Sequence, residues 1–307
     1  MHLGMIGLGR MGGNMAARLL RAGHVVVGTS RTAKTVDEVA ARGIVGVYSV
    51  EELVARLPAP RAVWVMVPAG APTDAMLQQL SPLLDEGDII IDGGNSYYKD
   101  TVRRAGELRS GLHLVDVGTS GGIWGLEEGY SLMIGGDDEP VARLRPIFEA
   151  LAPGVATGWA HMGPHGAGHF VKMVHNGIEY GMMQALAEGF AIMEKRQDLK
   201  LDLSVIAETW RHGSVVRSWL LDLLADGLDH DCGLECVAPW VEDSGEGRWT
   251  VSEAIELDVP APVITLSLIN RLRSRDERDY TDRLLAMMRN QFGGHAMKTE
   301  PGHEPNA

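Results

Sequence analysis

Up to about residue 160, nearly continuous apolar runs alternate with helical patterns, and this alternation restricts the fold more than any other feature of the chain. LGMIGLG, HVVVGTS, RAVWVMV, DIIIDGG and LHLVDVG read as strands closed by glycine or polar residues. Asn14–Ala22, Ser49–Leu57 and Thr73–Leu84 carry helical spacing between them. A strand that is apolar on both faces must be covered on both, and strands separated by helices join in parallel. The expectation is therefore an α/β domain over residues 1–165, with a doubly wound, mostly parallel sheet. After GPHGAGH, Gly163 to His169, long helical patterns take over, and residues 166–297 are expected to form an all-α domain. The polar tail KTEPGHEPNA, 298–307, reads as disordered.

The first apolar run leads into GLGRMG, a G-x-G-x-x-G loop spanning Gly7, Leu8, Gly9, Arg10, Met11 and Gly12. Placed between a strand and a helix, such a loop permits a tight turn and lets backbone amides approach a pyrophosphate at the helix N-terminus. This is the fingerprint of a Rossmann-type dinucleotide-binding domain. The next strand should end near the ribose, where an NAD site commonly places Asp or Glu. Here the residues are Ser30, Arg31 and Thr32, with Lys34 close by. Hydroxyls and cations suit a 2′-phosphate, so NADP is favoured and NAD stays possible; ordinary solvated surface charges are the alternative reading. Val67 and Ala69, at the end of the RAVWVMV run, are further candidate cofactor contacts.

HFVKMVHNGIEYGMM, His169 to Met183, opens the second half as a helix. At roughly 100° per residue, Asn176 lies about 40° from Lys172 and Glu179 about 20° on the other side, with His175 and Tyr180 within about 80°. Phe170, Val174, Ile178 and Met182 occupy the remaining face. A helix apolar over most of its circumference is usually buried, so the polar stripe is expected to line a cavity. An i,i+7 ion pair in a helix–helix contact is the competing explanation.

The 28 Lys and Arg against 41 Asp and Glu give a net charge of −13. That argues against nucleic acid or an anionic membrane surface as partner, and any anionic ligand needs a local basic cluster. No run of about 18 apolar residues suggests a membrane span. The apolar start has no secretory pattern and only Cys232 and Cys236 occur, so a cytoplasmic location is expected. Their C-x3-C spacing beside His230 is a faint metal pattern without a second ligand cluster, and no metal is expected.

Four further segments carry candidate chemistry. IIIDGGNSYYKDT sets Asn95 and Ser96 at the C-terminal end of the fourth apolar run, where open α/β sheets bind ligands. DVGTSGGIWGLEEGYSLMIGG sets Ser120, Gly121 and Gly122 in another strand-end turn. GEGRWT, Gly245 to Thr250, is read as a tight turn presenting Arg248 and Thr250. RNQFGGH places Arg289 and His295 around a glycine pair, downstream of the alternating Arg271, Arg273 and Arg275. Arginines in an acidic chain could hold a phosphate, although solvated helix faces are the commoner explanation.

Taken together, GLGRMGGNMA, SRT, IIDGGNSYYKDT, SGG, GHFVKMVHNGIEYGMMQ, GEGRWT and RNQFGGH resemble the 6-phosphogluconate dehydrogenases, in that family's order and over nearly the whole chain. At 307 residues the chain resembles the short form, with one helical unit where the longer form duplicates it. The resemblance implies oxidative decarboxylation of 6-phosphogluconate to ribulose 5-phosphate and CO2 with reduction of NADP or NAD. Lys172 would be the base at the 3-hydroxyl and would then polarise the new carbonyl; Glu179 would protonate C1 of the enediol. Asn176, His175, Asn95, Ser120, Gly121 and Gly122 match positions that hold the reacting end of the substrate. Asn95 also matches a cofactor contact. Tyr180, Arg248, Thr250 and Arg271 match phosphate-binding positions. Arg289 and His295 match a tail that completes a neighbouring subunit's site, implying a homodimer or homotetramer. Two residues depart from the family's commoner pattern: Arg248 stands where lysine is more frequent, and Met182 where longer members usually carry an acidic residue.

Two other readings are open on these residues. A non-decarboxylating β-hydroxyacid dehydrogenase of the 3-hydroxyisobutyrate type shares the glycine loop, the SGG turn and a Lys–Asn pair one helical turn apart. It usually lacks DGGNS, the glutamate of HNGIEYG and RNQFGGH. A catalytically silent NADP-binding protein is the second, and the intact Lys172–Asn176–Glu179 set argues against it.

Overall fold

The computed structural model describes residues 1–230, 234–277, 279–293 and Lys298. Its strands are β1 (His2–Ile6), β2 (Val25–Thr29), β3 (Val45–Gly46), β4 (Ala62–Val65), β5 (Ile89–Asp92), β6 (His113–Ser120), β7 (Ser131–Gly136) and β8 (Trp159–Gly163). The helices of its first half are α1 (Arg10–Arg21), α2 (Ala33–Ala40), α3 (Val50–Ala55), α4 (Ala71–Leu80), α5 (Tyr98–Glu107), α6 (Gly125–Glu128) and α7 (Asp138–Leu151). Then follow α8 (Ala167–Lys195), α9 (Leu203–Arg211), α10 (Trp219–His230), α11 (Glu246–Glu256), α12 (Pro262–Arg273) and α13 (Tyr280–Gly293).

The strands form one sheet in the order β3-β2-β1-β4-β5-β6-β7-β8, parallel except for the antiparallel β6–β7 pair. The five apolar runs become β1, β2, β4, β5 and β6. Ile89 and Ile91 face one core with Leu3, Met5 and Trp64, while Ile90 faces the other with Val63, Val65 and Leu53. Each such fully buried aliphatic side chain contributes ~1.5–3 kcal/mol, which is why these strands carry no polar alternation. Local signals set helix starts: Ser49 Oγ accepts from Glu52 N at 3.0 Å, and Asp202 Oδ1 accepts from Val205 N at 3.1 Å.

Three strands are additions to the sequence reading. β3 is two residues long, and β7 and β8 come from SLMIGG and WAHMG. β7 returns antiparallel along β6, pairing Ser131 with Ser120, because the intervening loop is too short for a crossover. Strand order reverses between β1 and β4, so the loops after these strands flank the switch point, where such sheets bind ligands.

The chain separates into two compact units, Met1–Glu179 with Gly245–Pro260, and Tyr180–Ser244 with Ala261–Ala307. This differs from a division at residue 165: the first part of α8 and all of α11 belong with the sheet. The cause is close backbone approach. A Cβ on Gly118 of β6 would collide with Lys172, and one on Gly168 would stand 2.8 Å from Asp116 O and from Gly135 N. Thr250 Oγ1 of α11 lies 2.9 Å from Met173 O of α8. The second unit is helical, with Phe190, Ala207, Ala225 and Leu228 as its core and Phe190 meeting Trp210 edge-on at 5.7 Å. No helix among the described residues is long and apolar enough to cross a membrane.

Candidate active site

The glycine loop joins β1 to α1. Gly7 has φ 97°, and its N–H donates to Thr29 O at 2.9 Å. Side chains at Gly7 or Gly12 would collide with Met66 O or Gly7 O, so these two glycines allow the turn to close against the β4 loop. Gly9, at the N-cap of α1, meets no atom within 4 Å of where a Cβ would stand, and the first turn carries no acidic residue. Open space at a helix N-terminus lined by backbone amides fits a dinucleotide pyrophosphate. Leu8 is buried beneath the loop and Arg10 is exposed. Met11 packs beside the core, and Val67 and Ala69 are half-buried in the loop after β4.

Beyond β2, Ser30 is half-buried and Arg31 is exposed with no ion-pair partner among the described residues. Thr32 caps α2, its Oγ1 accepting from Thr35 N at 3.3 Å. Lys34 stands 3.9 Å from Glu38 on an exposed helix face. Thr32 thus has a structural task.

The loop carrying Asn95 rests on a buried network. Asp92, at the end of β5, accepts from Ser96 Oγ at 2.9 Å, Gly94 N at 3.2 Å and Arg104 Nη1 at 3.1 Å. Arg104 also donates to Gly70 O at 3.1 Å, tying this loop to the one after β4. Ser96 is consumed in that network, whereas Asn95 is exposed and donates through Nδ2 to Glu246 Oε1. Ser120 ends β6; Gly121 (φ 127°) and Gly122 (φ 51°) turn the chain into a short 3-10 segment.

The stripe on α8 converges. Lys172 (8% exposed) donates to Asn176 Oδ1, and its Nζ lies 3.5 Å from His175 Nδ1; Asn176 is 9% exposed. His175 Nδ1 in turn lies 3.7 Å from Glu179 Oε2. The apolar face behaves otherwise than expected: Ile178 is 52% and Met182 42% exposed, while Lys172 and Asn176 are the inward edge of the stripe and His175 and Glu179 stay half-exposed. The reason is β6, where Gly118 leaves room for Lys172 to lie against the sheet.

Burial pushes the Lys172 amine below the usual lysine range, with Glu179 and Glu246 pulling the other way. His175 is likewise lowered, first by burial and then by the neighbouring Lys172. An amine that releases its proton more readily, hydrogen-bonded to an amide and flanked by a carboxylate, can accept and return a proton.

GEGRWT is not a tight turn beyond Gly245, whose φ is 108°; α11 begins at Glu246 and runs through the motif. Four of its residues, Glu246, Gly247, Thr250 and Glu253, are buried on one face, which favours helix over turn. Arg248 is exposed on this helix. The Thr250 hydroxyl lies between Met173 O and Glu246 O, so it joins α11 to α8. Tyr98 Oη donates to Glu253 at 2.8 Å, and burial with this bond pushes the phenol up to about 12.

In the helical unit, Arg271 stacks its guanidinium 3.5 Å from the Tyr180 ring centre and donates to Glu242 O at 2.7 Å. Two residues matched to a phosphate site thus meet. Arg273 and Arg275 pair with Asp282 and Asp243 instead. Arg289 is exposed on α13, while His295 and Cys232 lie outside the described residues. Sequence reasoning missed Glu246, Gly118 and Asp116. Asp116 accepts from Gly166 N and His169 N and so anchors the start of α8. The glutamate of GEGRWT was visible, but only the fold places it beside Asn95.

Comparison with known proteins shows the family. Residues 2–163 match the family profile described as the NAD binding domain of 6-phosphogluconate dehydrogenase, and 168–300 match the 6-phosphogluconate dehydrogenase C-terminal domain. A NAD(+)-dependent, decarboxylating 6-phosphogluconate dehydrogenase of Haloferax volcanii is 46% identical over 96% of this chain and 98% of its own. A NADP(+)-dependent, decarboxylating counterpart from Bacillus subtilis is 40% identical over 93% of this chain, which spans 64% of it. The solved structure of Plasmodium falciparum 6-phosphogluconate dehydrogenase, described with its cofactor NADP+ and its substrate 6-phosphogluconate, superposes with a TM-score of 0.81 at 30% identity. It covers 99% of this chain and 67% of its own. With both halves matched and a full-length relative at this identity, the chain belongs to the 6-phosphogluconate dehydrogenase family.

Proposed function

We propose that the chain oxidatively decarboxylates 6-phosphogluconate to ribulose 5-phosphate and CO2, using NADP in preference to NAD. The observation that carries this reading is the constellation of buried Lys172 and Asn176 with half-exposed His175 and Glu179, joined by Asn95 through Glu246. Lys172, its proton affinity lowered by burial, takes the proton of the substrate 3-hydroxyl. When bound, the nicotinamide supplies the hydride acceptor for C3. The Lys172 ammonium then donates to the new carbonyl oxygen and stabilises the electrons left as CO2 departs. Asn176 holds the Lys172 amine in place through both steps. Glu179 lies on the same helix face and delivers a proton to C1 of the enediol. His175, Asn95, Ser120, Gly121 and Gly122 orient the reacting end. Tyr180, Arg248, Thr250 and Arg271 are assigned to the phosphate, with Arg271 pre-oriented on the Tyr180 ring.

Arg31 supports the cofactor preference, since a cation without an ion-pair partner among the described residues suits a 2′-phosphate. We further assign a homo-oligomer in which Arg289 and His295 complete a neighbour's site. Exposed apolar side chains favour it: Val263, Leu266 and Ile269 on α12, and Leu285, Met287 and Met288 on α13. A cytoplasmic location is part of the same proposal, supported by the small phosphorylated sugar-acid substrate. Product analysis is the test: equimolar CO2, ribulose 5-phosphate and reduced cofactor are expected. Oxidation of the substrate without CO2 release would instead establish a dehydrogenase of the 3-hydroxyisobutyrate type.

A further inference from the structure

Glu246 is assigned to none of these steps, and its position calls for a task. It is 3% exposed, in a site whose substrate bears a carboxylate and a phosphate, so an idle carboxylate there would oppose binding. It opens α11 directly after the left-handed Gly245, and α11 is held to α8 by Thr250 and to α5 by the Tyr98–Glu253 bond. This fixed carboxylate accepts from Asn95 Nδ2. A carboxylate can only accept, so it must take the amide's NH2 end and leave Asn95 Oδ1 as an acceptor for a substrate hydroxyl. Its charge also acts on Lys172. The titratable groups that act on Lys172 are His175 and Glu179 on its own helix and Glu246 from α11.

We propose that Glu246 is a positioning residue of the reaction: it fixes which way the Asn95 amide faces and supplies from α11 the negative charge that faces Lys172. The proposal rests on Lys172 being the base and adds a third carboxylate to the machinery, one that need not touch the substrate. Both tasks require an ionised carboxylate. A glutamine of the same shape could turn its own amide and release the Asn95 orientation, and it would remove the charge.

The test uses E246Q, E246D and N95A in the full-length protein. E246Q is expected to lower kcat/KM for 6-phosphogluconate by about tenfold, the scale of one lost charge-assisted hydrogen bond, with cofactor binding unchanged by fluorescence titration. Its acid limb should move to lower pH, because Lys172 loses a neighbour that favours its charged form. E246D, which keeps the charge, should hold the limb near wild type. In an N95A background the E246Q penalty should shrink, since its partner is already gone. An independent readout is the substrate-free NMR titration of 13Cε-labelled lysines, with the Lys172 signal assigned by K172M. Its midpoint should fall in E246Q. An unmoved or raised midpoint, or fully additive E246Q and N95A penalties, overturns the proposal. Wild-type protein that releases no CO2 from 6-phosphogluconate would defeat the functional reading, while the NMR titration would still decide the role of Glu246.

Discussion

Replacing Gly118 by alanine tests how the fold places the base. The backbone at this position lies outside the positive-φ region, so alanine can adopt it, and any effect is steric. The added methyl would stand 2.8 Å from Gly168 O and 3.0 Å from Lys172 Cγ, and closer still to Lys172 Cβ. Unstrained carbons stand ~3.5–4.0 Å apart, so α8 must withdraw from β6 by roughly 1 Å. Overpacking of this kind costs ~1–3 kcal/mol, which lowers Tm by ~2–4 °C per kcal/mol in a unit of this size. The larger effect is on chemistry, because a displacement of ~1 Å at a reacting group can cost about 10²-fold. Steady-state kinetics, cofactor titration and thermal melts on one preparation separate the two. The expected result is kcat down by about 10²-fold, cofactor affinity unchanged, and a melting loss of a few degrees. A variant that loses stability yet turns over like wild type would refute the claim that close packing at Gly118 aims Lys172.

The other expectations follow from single residues. K172M should lower turnover by at least about 10²-fold, the scale of a lost general base, with NADP binding intact; near-wild-type turnover defeats the assignment. Burial lowers Lys172 in the native state, so the native protein holds fewer protons than the unfolded chain between that lowered value and the ordinary lysine range. Wild-type stability relative to K172M should therefore rise with pH through that window, as read from urea midpoints, and a wild-type stability that falls relative to K172M as pH rises contradicts the sign. R31A removes a charge-assisted bond of ~1.5–3 kcal/mol and should cut kcat/KM with NADP by about 10–100-fold while sparing NAD; equal losses with both cofactors would remove Arg31 from the 2′-phosphate site. Mixing inactive K172M and R289A subunits should restore part of the activity, because one hybrid site combines an intact base with an intact tail. Absence of rescue in a mixture shown to exchange subunits rules out a shared site.

Much of this was legible in the chain. The apolar runs that became β1, β2, β4, β5 and β6 had to be strands covered on both faces, and GLGRMG between a strand and a helix read as a dinucleotide-binding turn, in keeping with the matched NAD binding domain. Helical spacing alone brought Lys172, His175, Asn176 and Glu179 to one face, because i+3, i+4 and i+7 neighbours stack whatever surrounds the helix. The stripe was also expected to face inward, as Lys172 and Asn176 do; the exposure of the apolar side was another matter. Most of the stripe's surroundings are apolar, yet Ile178 and Met182 are exposed and Lys172 and Asn176 are buried. Periodicity reports which residues share a side; only packing partners decide which side is inside, and here Gly118 on β6 decides it.

The same division holds at the motif ends. Asn95 of DGGNS and Glu246 of GEGRWT are 151 residues apart, and nothing local couples them. The short β7, the helical start of α11 and the membership of the first part of α8 in the sheet unit all depend on contacts distant in sequence. The sequence by itself determined the parallel sheet, the glycine loop between β1 and α1 and the common face of the polar groups along α8, because each is a consequence of local periodicity and of glycine conformation. Tertiary structure alone decided that Glu246 meets Asn95 and that Lys172 is buried against a glycine, because burial and the fields it strengthens arise only when distant segments exclude water together.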